Sequence, residues 1–132
     1  MIRLKLLLIA VIIVLLTAAV AHGAASSIST STQSSGGVTV KVTHRNPDPP
    51  DQHRFEIAVD SSSVNLDNYD LKSSVLLRAG DKTYRPTTVE NKGDGRHREM
   101  TVVFPRVDLR GVEVIVRDVA GVKERAFRFI VE

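Results

Sequence analysis

The chain is expected to fold as an all-β protein, two antiparallel sheets packed face to face, behind an apolar export segment. Three observations predict this: apolar residues recur at every second position through most of the chain, turn-forming clusters interrupt them at short intervals, and no segment sustains a helical period. Period-two alternation sends one row of side chains into a core and the other into water, which is the pattern of a half-buried strand in an antiparallel sheet.

The N-terminus is different in kind. Two cations, Arg3 and Lys5, precede an apolar run over residues 6–21 broken only by Thr17, and the run closes on Ala19-Val20-Ala21. This is the layout of a secretory signal with a small-x-small cleavage site, so residues 1–21 are expected to be a signal peptide. A retained helical anchor is the other reading, because a spanning helix needs about 20 apolar residues and the run falls only a little short. Both place the remainder outside the cytoplasm: secreted, periplasmic or on the outer face of the membrane. A lipid-modified cysteine is excluded, since the 132 residues contain no cysteine, and disulfides and thiolate metal sites go with it. Residues 22–37 are rich in Ser, Thr and Gly, with too few apolar groups to offset the entropy of ordering, and are expected to be a flexible linker.

The folded domain is expected over residues 38–132. Val38, Val40 and Val42 alternate with polar residues, and Phe55, Ile57 and Val59 do the same. Between these stretches Asn46-Pro47-Asp48-Pro49-Pro50-Asp51 cannot continue a strand, because three prolines lack the ladder donor. Ala79-Gly80-Asp81-Lys82 reads as a tight hairpin turn after Val75-Leu76-Leu77-Arg78, and Asn91 and Gly95 bound a polar loop. Met100, Val102 and Phe104 share one face, then Val112, Val114 and Val116, then Phe127, Phe129 and Val131, with Asp118-Val119-Ala120-Gly121 turning the last pair. About seven short strands at this spacing predict an immunoglobulin-like antiparallel β-sandwich. With a single small core and no staples, its stability is expected to be only ~5–10 kcal/mol.

Two stretches carry a resemblance. Phe55-Glu56-Ile57-Ala58-Val59-Asp60-Ser61-Ser62-Ser63-Val64-Asn65-Leu66-Asp67-Asn68-Tyr69-Asp70-Leu71 and Gly95-Arg96-His97-Arg98-Glu99-Met100-Thr101-Val102-Val103-Phe104-Pro105 are similar to an uncharacterised family of small exported prokaryotic β-sandwich proteins. The stretch from Val112 to Val131 also resembles the terminal hairpin of bacterial immunoglobulin-like domains. The resemblance implies export and a small β fold. Two positions depart from it: Ser62 and Arg96 stand where the family pattern has histidines, so a metal site built on those histidines would be lost here.

Charge narrows the partners. The formal net charge is +3, and leaving out Arg3 and Lys5 reduces it to +1, without the strongly basic face of a nucleic-acid binder. Chemistry is sparse. Four histidines occur, at 22, 44, 53 and 97. A small extracytoplasmic metal site using His97 with His44 or His53 is the alternative reading, since neutral imidazole is the commonest metal ligand; surface histidines in loops and strand ends are the expectation. His22, as a mature N-terminus, would be a copper-binding possibility left without supporting groups. Asp60, Asp67, Asn68 and Asp70 could offer oxygens to calcium but lack the spacing of a calcium loop, and turn roles are expected for them. No nucleophile-elbow serine occurs, so neither an enzyme nor a cofactor is expected. Arg96, His97 and Arg98 are the best candidates for contact: either the triplet belongs to a loop ahead of a strand that starts at Glu99, or an arginine lies over the end of the sandwich and pairs bidentately with an acid such as Asp60, Asp67 or Asp70. The expected partner is an unidentified protein or envelope component, with the membrane involved only through an uncleaved N-terminal segment.

Overall fold

The computed structural model describes residues 27–131. The signal or anchor segment and His22 lie outside the described residues. Among the described residues nine strands form: β1 (Ser27–Ser35), β2 (Val38–Asn46), β3 (Gln52–Ser61), β4 (Val75–Ala79), β5 (Lys82–Tyr84), β6 (Thr88–Asp94), β7 (His97–Pro105), β8 (Gly111–Val119) and β9 (Val122–Ile130). They make two antiparallel sheets, a five-stranded one ordered β1-β2-β3-β7-β6 and a four-stranded one ordered β5-β4-β8-β9. A 3-10 turn (Leu66–Asn68) and one helical turn, α1 (Leu71–Ser74), lie in the crossover from β3 to β4.

The alternating rows meet between the sheets. Val38, Val40, Val42, Phe55, Ile57, Val59, Met100, Val102 and Phe104 from the first sheet, and Val75, Leu77, Val112, Val114, Val116, Phe127 and Phe129 from the second, are all buried in one cluster. Phe55 centres it, with ring centroids 5.4 Å from Phe129 across the layers and 6.1 Å from Phe104 on the neighbouring strand. An all-β fold of two antiparallel sheets is therefore present, with a sandwich core where the alternation placed it.

Two expectations need correcting. The Ser-rich stretch is not a tether over its described part: residues 27–35 are an edge strand paired with β2 from Ser27↔Asn46 to Ser35↔Val38, so the fold includes residues ahead of Val38. Its hydroxyls bond the neighbouring strand, Thr30 to Thr43 at 3.3 Å and Ser34 to Thr39 at 2.8 Å, and its free side is closed by the Gln33 side chain donating to the Ala126 carbonyl of β9. Tertiary contacts thus supply what composition lacks. The Asn91-to-Gly95 stretch is not a loop either: residues 91–94 complete β6, and only Gly95 and Arg96 turn. These two strands raise the count from about seven to nine.

The turn between β1 and β2 is Gly36-Gly37, both in the left-handed region at φ 63° and 75°, as a two-residue hairpin with the twist of its strands requires. Gly36 also lies against the β8–β9 turn, where an added Cβ would come within 2.6 Å of the Ala120 carbonyl oxygen. Gly36→Ala combines a disfavoured φ with a backbone clash and is expected to lower the unfolding free energy by about 2 kcal/mol, measured by urea denaturation.

Candidate functional site

The strands have two ends. At one, which holds Ser27, the β2–β3 loop and the β7–β8 loop, the chain leads back to its N-terminal segment. The other, distal end carries the β1–β2, β6–β7 and β8–β9 turns.

The distal end holds the predicted triplet. Asp94 and His97 close a two-residue hairpin around Gly95 and Arg96, with Gly95 at φ 60°, the first-position glycine of a type II′ turn. The strand begins at His97, so the triplet divides. Arg96 is exposed in the turn. Arg98 continues inward the row of Met100, Val102 and Phe104, and its Nη1 donates to Asp67 Oδ1 at 2.9 Å while Nε donates to Asn91 Oδ1 at 3.3 Å. An arginine thus covers the end of the core and pairs with an acid, one of the three the sequence offered, through one nitrogen and not bidentately, because its Nε is taken by Asn91.

The backbone ties the same place together. Leu66 N–H donates to the Gly95 carbonyl at 2.7 Å, Ser61 N–H to the Arg96 carbonyl at 2.9 Å, and Gly95 N–H to Asp67 Oδ2 at 3.0 Å. The stretches 55–71 and 95–105 therefore meet in one knot. Asp70 caps α1 by accepting from Ser73 N–H and Oγ, and Asn65 accepts from Asp67 N–H. The carboxylates of Asp67 and Asp70 serve turns and an ion pair, the role expected for them.

His97 faces outward, between Asp60, to which its Nδ1 is bonded, and Glu99, whose Oε1 is 3.2 Å from Nε2. The Asp60 bond first, then Glu99, favours the imidazolium and raises the His97 pKa above 6.5. A raised native value adds stability that is fully present below pH 6.5 and is lost as pH rises through that value. At 54% side-chain exposure the gain is small, but the titration is readable. A proton NMR titration is expected to show His97 titrating above 6.5 and moving down in Asp60→Asn; an unmoved midpoint would refute the pairing.

The other two described histidines depart from expectation. His44 and His53 are fully buried and grip one carboxylate at the proximal end: His44 Nε2 is 2.8 Å, and His53 Nδ1 2.6 Å, from Asp48 Oδ2. The Pro-rich loop, whose Asn46–Pro47 peptide is cis, carries Asp48 inward between them. Arg54 N–H donates to Asp48 Oδ1 at 3.2 Å. Val107 N–H lies 3.4 Å from His53 Nε2, which makes that nitrogen the acceptor and Nδ1 the donor, a neutral tautomer. His44 also stacks 4.8 Å from Phe55. Burial pushes the Asp48 pKa up, but the bonds from His44, His53 and Arg54 outweigh it and hold the carboxyl below 3.8.

The set His44, His53 and His97 is not assembled. His53 pairs with Phe104 and His97 with Asp60, seven residues apart along β3, which is roughly 23 Å at about 3.3 Å per residue. His44 and His53 come together only by pointing at the same oxygen. Among the described residues no group of three or more His, Cys, Asp or Glu side chains is disposed to hold a metal ion.

One further buried group escaped the sequence reading. Arg125 is 2% exposed, donates to the Val119 carbonyl at 3.0 Å and the Ser35 carbonyl at 2.9 Å, and so clamps two distal turns together. The signal was its phase: Arg125 lies in the row of Phe127 and Phe129.

A broad concavity of about 550 Å³ lies on the outer face of the five-stranded sheet, floored by Thr43, Ala58 and Thr101 and flanked by Lys41, Lys92, Glu56 and Glu99. Its charges alternate in sign. No family model, no curated protein and no solved structure matches this chain.

Proposed function

We propose that the chain is an exported, non-enzymatic domain of immunoglobulin-like type that acts by surface contact with a protein or envelope component, through the distal rim at Arg96, His97 and Arg98. The observation that carries this reading is the inward engagement of the buried polar chemistry. His44 Nε2 and His53 Nδ1 both bond Asp48, and Arg125 bonds two backbone carbonyls, while His44 Nδ1 and Arg125 Nε have no partner among the described residues. What remains for a partner is a rigid rim with an exposed arginine and a histidine flanked by acids. Export is supported by the cationic and apolar N-terminal sequence and by the resemblance to small exported prokaryotic proteins.

The rim suits this role because the β6–β7 turn is braced from both sides, by the Leu66 and Ser61 amides and by the Arg98–Asp67 pair. A braced turn gives up little entropy on binding. The test is a photo-crosslinking residue in place of Arg96 in the full chain, expressed in its native cells, with a second at Ser34 on the β1 edge as control. A discrete adduct at 96, absent at 34, is expected, together with recovery of the protein outside the cytoplasm. Cytoplasmic recovery would overturn export, and equal or absent adducts at the two positions would overturn the rim.

A further inference from the structure

We propose that the proximal end of the sandwich seats on an anionic lipid surface. The large hydrophobic side chains left exposed among the described residues are Ile28, Leu109 and Ile130, at 61%, 48% and 57%. All three lie at this end. Ile28 is the second residue of β1, opposite Arg45; Ile130 ends β9, where Asn46 donates to its carbonyl; Leu109 sits in the β7–β8 loop, where a Cβ added at Gly80 would come within 3.3 Å of it. Single exposed apolar residues are ordinary on a protein surface; these three are set apart by sharing one end of the sandwich.

Charge follows the same axis. Around these residues the exposed cations Arg45, Arg54, Lys82, Arg106 and Arg128 outnumber the exposed acids Asp51, Glu56, Asp81 and Asp108, with Arg45 and Glu56 paired at 3.5 Å. The distal end exposes the acids Asp60, Asp67, Asp70, Asp94, Asp118 and Glu124 beside the fewer cations Lys72, Arg96, Arg117 and Lys123. Basic side chains near a bilayer are drawn to anionic headgroups while apolar neighbours enter the acyl boundary. The chain supplies the third argument. The apolar run ends at Ala21 and β1 begins at Ser27, so six peptide steps separate them, at most about 22 Å at 3.6 Å per residue. A membrane that receives the apolar run therefore has this end of the fold within reach. The inference rests on the reading in which the run is retained as a membrane anchor and not cleaved, and on such a surface the distal rim would face away, open to a partner.

The chain has no tryptophan, which makes single-tryptophan reporters clean. Full-length Leu109→Trp and Ile130→Trp, each checked for a β-sheet circular dichroism spectrum, are reconstituted with phosphatidylcholine vesicles containing phosphatidylglycerol, with and without brominated acyl chains, and compared with Arg96→Trp at the far end. Quenching of twofold or more with a blue shift at 109 and 130, and none at 96, is the expected result. Arg45→Glu with Arg106→Glu, or vesicles of phosphatidylcholine alone, should at least halve the quenching. If the chain sediments with vesicles but 109 and 130 stay unquenched, or 96 is quenched equally, the seating is overturned while membrane delivery stands. Undiminished quenching in the charge variant and on neutral vesicles overturns the anionic surface. If the chain does not sediment with vesicles, membrane delivery and seating fall together.

Discussion

Asp48→Ala is expected to remove about 3–5 kcal/mol of folding free energy, about half of what a domain of this size possesses. Asp48 accepts from three donors, the imidazoles of His44 and His53 and the Arg54 amide. Alanine leaves these groups without their acceptor, two of them on fully buried rings, and each unsatisfied buried donor costs about 1–3 kcal/mol. Asp48→Asn keeps the shape but has one acceptor oxygen for two sets of donors, so its amide nitrogen must face either the Arg54 N–H or the imidazoles. A smaller loss of about 2 kcal/mol is expected for it, and the order Ala worse than Asn is the diagnostic result in urea denaturation at neutral pH. The same carboxylate sets an acid limit. Its native pKa is depressed, so its contribution is complete above the unfolded value near 3.8 and disappears as pH falls through the lower native value. Asp48→Asn should therefore flatten the stability curve in that acid window, and an unchanged slope there would remove Asp48 from this role.

Phe55→Ala is expected to cost a further-reaching 3–5 kcal/mol, since the ring is wholly buried and its loss opens a cavity that the surrounding strands cannot fully close. Phe55 touches Phe104 on β7, Phe129 on the opposite sheet and His44 on β2. It is thus both the centre of the apolar core and one wall of the Asp48 site. Shared contacts make energies non-additive, so the double variant Asp48→Ala/Phe55→Ala should lose less than the sum of the singles by about 0.5–3 kcal/mol. Destabilised backgrounds are best measured at low temperature, where the native baseline survives. Ile130→Ala, at an exposed position, is the control and should stay within about 0.5 kcal/mol. Strict additivity between positions 48 and 55 would show that the histidine cluster and the aromatic core are energetically separate.

Which residues form the core was legible from alternation, because a strand's side-chain direction is a local property of the backbone. The polar ends of those rows were legible too, had phase been applied to them without regard to residue type. His44 continues Val38, Val40 and Val42; His53 begins the row of Phe55, Ile57 and Val59; Arg125 begins that of Phe127 and Phe129. Each is buried, and each ends an apolar row where the sandwich closes. Hydrophilicity argued for the surface, and the pleat overruled it. The β1 edge strand was missed for the converse reason. Ser and Thr alone predict solvation, but the Gly36-Gly37 pair before Val38 is a hairpin signal, and the partner strand, not composition, supplies the hydrogen bonds.

By itself the sequence determined the all-β class, the inward rows, most of the turns and the pairing of an arginine with an acid at the rim, since these follow from the period of the pleat and the short reach of turn chemistry. Only the tertiary structure decided that Asp48 lies between His44 and His53, that Arg98 takes Asp67, that His97 stands apart from the other two described histidines, and that Ile28, Leu109 and Ile130 gather at one end. The reason is physical. Those relations join residues distant along the chain, and strand order and register, which set the distances, are properties of the assembled sheets and not of any one segment.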